Sequence, residues 1–180
     1  MGENTRPSIP SELITQSQYE TQTEMLQVKD RKGEFVIGIP KETTLQENRV
    51  ALVPASVATL IANGLRVVIE KGAGEKSHFH DHEYSEVGAE IASSRKEVFK
   101  SNVLIKIAPP TLEEIDMLQP GQMLISPLQI PVISCEYIEQ LRKKRVIAVA
   151  MEYLQDEDGS FPVVRIMSEM AGIASMQTAA

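Results

Sequence analysis

From Phe35 onward the chain alternates short apolar runs with stretches of helical periodicity. The runs Phe35 to Ile39, Arg66 to Glu70, Val103 to Ile107, Met123 to Leu128 and Val146 to Met151 each read as a buried strand. Between them lie helix signals. Pro54-Ala55-Ser56 opens a helix that stops at Gly64, and Asp81 caps one that closes at Gly88. Ser93 or Ser94 caps another running to Lys100. Thr111 begins a helix to Leu118 with Glu113 and Glu114 in its first turn, and Ser134 begins one to Lys144. Strand–helix alternation predicts an α/β domain: a doubly wound, mostly parallel sheet with helices on both faces.

The two ends differ from this pattern. Residues 1–34 form an N-terminal extension rich in Ser, Thr, Gln and Glu, with Pro7 and Pro10 near its start. Ser11 and Glu12 are expected to open a short helix through Leu13 and Ile14, as a docking arm at a subunit interface or as a poorly ordered tail. Residues 35–165 make the α/β domain. Residues 166–180 begin a helix rich in small residues, Ala171, Gly172, Ala174, Ser175, Ala179 and Ala180. With no capping glycine, that helix is expected to be the start of a connection in a truncated chain.

Composition narrows the function classes. Hydrophobic residues make up 42% and aromatics only 4%, so the core is aliphatic, as suits a covered parallel sheet. A net charge of −7 argues against a nucleic-acid surface. The one dense basic run, Arg142 to Arg145, falls where cations complement a helix dipole. With a single cysteine, Cys135, no intramolecular disulfide forms; the expectation is a free thiol in a cytoplasmic protein. No apolar run is long enough to insert into a membrane, and the first residues lack an apolar signal core.

Candidate chemistry lies at carboxyl ends of strands, where open α/β sheets bind ligands. Arg49 follows the first strand; its guanidinium can clamp a carboxylate with two parallel hydrogen bonds, or simply be solvated. Lys106, near the end of an apolar strand and before Pro109-Pro110, either faces a ligand there or guards a sheet edge. Gln129, after the strand ending at Leu128, can orient a substrate but has no usable proton-transfer pKa. His78, His80 and His82 would share one face of a strand, but the cap expected at Asp81 breaks the alternation, so an exposed loop is expected and no metal site. Gly72 and Gly74 read as turn residues, because no complete G-x-G-x-x-G occurs.

Several blocks in one order carry a family resemblance. They are Val36 to Glu42, Glu47-Asn48-Arg49-Val50-Ala51-Leu52, Val68 to Gly74, Tyr84 to Ile91, Leu104-Ile105-Lys106, Asp158 to Pro162 and Met167 to Gly172. The chain resembles alanine dehydrogenases and nicotinamide nucleotide transhydrogenase alpha subunits over residues 35–180. The D-G-S-x-P and M-S-E-x-A-G blocks favour the former.

That resemblance implies a flavodoxin-like substrate domain and an NAD-dependent deamination of L-alanine to pyruvate and ammonia. NAD would be held mainly by a Rossmann domain that these residues do not contain, leaving the chain inactive alone, within a homo-oligomer. It puts the substrate arginine at Arg49 and the substrate lysine at Lys106. Met167 falls near the substrate and Ser168 near the cofactor. The family's catalytic histidine position, counted from Gly121, holds Gln129. The alternatives are the transhydrogenase alpha subunit, with membrane partners, and a non-catalytic interaction domain.

Overall fold

The computed structural model describes residues 35–179, apart from Leu45; the extension expected over residues 1–34 lies outside them. Six strands form one sheet: β1 (Val36–Ile39), β2 (Arg66–Glu70), β3 (Glu90–Ala92), β4 (Val103–Ile105), β5 (Met123–Ser126) and β6 (Ile147–Ala150). Their order is β3-β2-β1-β4-β5-β6, and every pairing is parallel. The helices are α1 (Pro54–Ala62), α2 (Asp81–Glu86), α3 (Arg95–Val98), α4 (Leu112–Met117), α5 (Cys135–Lys144) and α6 (Pro162–Ala179), with 3₁₀ turns at Glu75–Ser77 and Met151–Tyr153.

The five strands expected from sequence stand in the flavodoxin-like order, second-first-third-fourth-fifth. The sixth, β3, is an addition at the edge. Its residues Glu90, Ile91 and Ala92 offer too short an apolar run to read as a strand. Two local expectations are corrected. Asp81 is not the cap of α2: His80 holds that position, Glu83 reaches back to the His80 N–H at 2.6 Å, and the Asp81 carboxylate accepts the Gly72 N–H at 2.8 Å. The last helix starts at Pro162, ahead of the residue 166 expected from sequence. Proline suits a first helical position, where its missing N–H costs nothing. The domain boundary expected after residue 165 therefore falls inside one helix.

Alternation along the strands divides the core. Ile37, Val67, Ile69 and Val103 pack on one face with Val57 of α1 and Tyr84 of α2. Leu104 and Leu124 pack on the other with Ile115 of α4 and Tyr137 and Leu141 of α5. The buried Tyr84 hydroxyl donates to the Leu52 carbonyl at 2.9 Å, and burial pushes its pKa up to about 12. The α5 helix is capped by Ser134, whose Oγ accepts the Tyr137 N–H, and ends in Arg142, Lys143 and Lys144, as expected.

The α3–β4 corner crosses β1 at Gly38. A Cβ there would stand 2.7 Å from both Ser101 Oγ and the Val98 carbonyl oxygen. Gly38→Ala is expected to destabilise the domain by about 1–3 kcal/mol, the usual cost of overpacking. A denaturant midpoint unchanged from wild type would contradict this contact.

Candidate functional site

The chain changes direction between β1 and β4, the place where doubly wound sheets open a crevice. Here the crevice floor is filled by ions. Lys106 directly follows β4, and its N–H still bonds the Ile125 carbonyl, so it keeps the pleat of the strand. It points to the same face as Leu104, toward α4. Its side chain is 0% exposed, and its ammonium donates to Glu42 at 2.8 Å and to Glu114 at 3.2 Å.

The partners are themselves fully employed. Glu42 also accepts the Ile107 N–H at 2.7 Å. Glu114 completes a reciprocal capping box with Thr111 at the start of α4. Arg95, at the first position of α3, bridges Glu114 and Glu70, each at 3.1 Å, and donates to the Lys41 carbonyl at 2.7 Å. The sequence leaves Lys106 either facing a ligand or guarding a sheet edge; in the structure its ammonium lies within this buried network.

Ile107, one residue on, turns to the other side and lines a cleft of about 560 Å³. Arg49, Gln129, Met167 and Ser168 line the same cleft. Four of the five residues named from sequence thus converge, and Lys106 stands apart from them.

Arg49 sits in the loop after β1, half exposed at 48%. Its Nε and Nη2 donate to the two oxygens of Glu47 at 2.8 and 2.6 Å, and its Nη1 lies 3.4 Å from the Met167 sulfur. The hydrogen bonds from Arg49 hold the Glu47 carboxyl below its ordinary value of 4.5, and the arginine's own pKa is raised in return. The depressed carboxylate makes the pair's contribution to stability full above about pH 4.5 and lost as pH falls through the lower folded value. The pair is therefore intact at neutral pH. The loop is pinned to the first 3₁₀ turn by Ser77, whose hydroxyl donates to the Asn48 carbonyl at 2.6 Å.

Gln129 adopts a left-handed φ of +52°. Glu152, in the turn after β6, holds it there: the Glu152 carboxylate accepts the Gln129 N–H at 2.7 Å and the Leu128 N–H at 3.0 Å. Glu152 and Glu47 were both missed as site residues in the sequence. The available signal for Glu152 was its position, an acidic residue directly after a strand's carboxyl end. The three histidines are exposed, and the His80 and His82 rings stack with centroids 5.7 Å apart.

Strand order and crevice define the class as a doubly wound α/β domain with a cleft beside its switch point. Residues 38–171 match the family described as Alanine dehydrogenase/PNT, N-terminal domain. Alanine dehydrogenase from Methanococcus maripaludis is 39% identical over 147 residues, covering 81% of this chain and 39% of that protein. Alanine dehydrogenase from Bacillus subtilis is 38% identical over 146 residues, covering 81% of this chain and 38% of the relative.

Among solved structures, an L-alanine dehydrogenase superposes with a TM-score of 0.77 at 35% identity, covering 80% of this chain and 40% of its own. A transhydrogenase from Sinorhizobium meliloti superposes with a TM-score of 0.62 at 30% identity, covering 66% and 35% respectively. The chain belongs to the alanine dehydrogenase/PNT N-terminal domain family. It spans about two fifths of the length of the alanine dehydrogenases it matches.

Proposed function

We propose that this chain is the substrate-binding N-terminal part of an NAD-linked alanine dehydrogenase, which interconverts L-alanine with pyruvate and ammonia. The observation that carries this reading is the convergence of Arg49, Gln129, Met167 and Ser168 on one cleft at the carboxyl ends of the strands. Arg49 receives the substrate carboxylate, and the Gln129 amide donates to the carbonyl oxygen. Met167 packs against the substrate. Lys106, proposed from the family pattern to polarise the carbonyl, acts instead through the network that fixes the loops after β1 and β4.

The switch-point crevice does not fit a dinucleotide. The β1 turn there is Pro40-Lys41-Glu42 without a glycine fingerprint, and the Glu42 carboxylate already takes the Ile107 N–H that a phosphate would need. The NAD site therefore belongs to a second domain, with Ser168 at its border, and hydride transfer is the chemistry that NAD supplies there. No helix among the described residues is long and apolar enough to cross a membrane.

The test is NADH oxidation by the full-length protein with pyruvate and ammonium, for which turnover is expected. The superposition on a transhydrogenase supports the alpha subunit of a proton-pumping transhydrogenase as a second reading. Hydride transfer between dinucleotides without pyruvate would favour it, and neither activity would leave a non-catalytic domain.

Gln129 sharpens the first reading. Glutamine carries no proton, so Gln129→His is expected to add a limb to the pH profile of alanine deamination near the imidazole pKa of about 6.5. Gln129→Ala is expected mainly to raise the KM for pyruvate. Identical profiles for wild type and both variants would remove Gln129 from the site.

A further inference from the structure

We propose that Glu47 is a positioning residue that aims Arg49, so that the substrate carboxylate is received end-on at the Nη1–Nη2 edge of the guanidinium. The inference rests on the reading of Arg49 as the carboxylate site and adds the direction from which the substrate is bound.

A guanidinium offers five N–H donors and two edges that match a carboxylate: Nε with Nη2, and Nη1 with Nη2. Glu47 fills the first edge with bonds of 2.8 and 2.6 Å. The pair is not an ordinary surface contact. The Glu47 side chain is only 15% exposed, and the oxygen that takes Nε also accepts the Arg49 backbone N–H at 2.9 Å. The loop beneath it is tied by Glu47 N–H to the Thr44 carbonyl at 2.9 Å and by Ser77 to the Asn48 carbonyl at 2.6 Å. Carboxylate and guanidinium are thus oriented before any ligand arrives.

Three donors remain, and two of them, one on Nη1 and one on Nη2, form the other edge. Nη1 there meets the Met167 sulfur at 3.4 Å, and Met167 lines the cleft. A thioether is a weak acceptor. A carboxylate entering the cleft outcompetes it and takes Nη1 and Nη2 without disturbing Glu47. The opposite arrangement, in which Glu47 is a latch that must release Arg49 before the substrate binds, makes the reverse prediction.

Two measurements on the full-length protein decide between them. In steady-state kinetics, Glu47→Ala is expected to raise the KM for pyruvate about tenfold, the equivalent of about 1.4 kcal/mol, with kcat nearly unchanged. Glu47→Gln keeps one oxygen acceptor and is expected to fall between the two. A KM that stays level or drops in Glu47→Ala overturns the proposal.

The second measurement is the NMR signal of the Arg49 Nε–H, assigned by its loss in Arg49→Lys. It is expected to be protected from exchange, to persist when pyruvate is added, and to lose protection in Glu47→Ala. Loss of protection on adding pyruvate means that the substrate displaces Glu47, and the inference fails while Arg49 remains the carboxylate site. The Arg49 Nη–H signals are expected to shift with pyruvate, and Nη signals that ignore it sink the carboxylate reading itself.

Discussion

Lys106→Met is expected to lower the stability of the domain by about 3–5 kcal/mol, the range for breaking a buried ion pair from one side. The side chain is fully buried, so methionine of similar length fills the space. What it cannot do is compensate charge. Glu42 and Glu114 would be left at 3% and 2% exposure, with Arg95 as the remaining cation of the cluster. Burying an unpaired carboxylate costs more than the pair ever contributed, because the desolvation is no longer offset. The double variant Lys106→Met with Glu42→Gln is therefore expected to be more stable than Lys106→Met alone. Urea unfolding of the three proteins checks this. A single variant within about 0.5 kcal/mol of wild type, the usual range for surface changes, would show that the cluster is wet and loosely held.

The second large effect belongs to the cleft. Arg49→Lys in the full-length enzyme is expected to lower kcat/KM for pyruvate about ten- to a hundredfold, matching the roughly 1.5–3 kcal/mol scale of hydrogen bonds to a charged group. Lysine preserves the charge but carries it as a point, so it cannot hold Glu47 on one edge and a carboxylate on the other. Unchanged kinetics with alanine and pyruvate would move the carboxylate site elsewhere.

Much of the fold was legible because its signals are local. Aliphatic runs, the Thr111 and Ser134 caps and the glycine stop at Gly64 each act within a few residues, and five strands follow from them. The edge strand β3 was not legible, since three residues bounded by Gly88 and Ser93 carry almost no periodicity.

The cleft was legible in part. Arg49 and Gln129 follow from the rule that ligands gather at carboxyl ends of strands. Lys106 stands at the strand end expected, but which way its side chain turns was open in the sequence. Its parity with Leu104 turns it toward α4, and Glu114, read only as a dipole-complementing residue, is the carboxylate waiting there. Glu42, Glu47 and Glu152 act through partners 65, 2 and 23 positions away in sequence. The long-range pairings depend on strand order, which no local pattern encodes.

The buried network also bears on how the domain comes apart. Glu70 and Glu42 follow one half of the sheet, Lys106 and Glu114 belong to the other, and Arg95 and Lys106 each link carboxylates across the seam. Opening either half alone would break the ion pairs that cross the seam and leave carboxylates short of their cations in the dry remainder. The seam therefore suppresses partial opening and makes the two halves a single cooperative unit. In hydrogen exchange, the amides of β1 and β4 would share one protection free energy, that of global unfolding, and the cleft loops above them would exchange by their own, smaller openings.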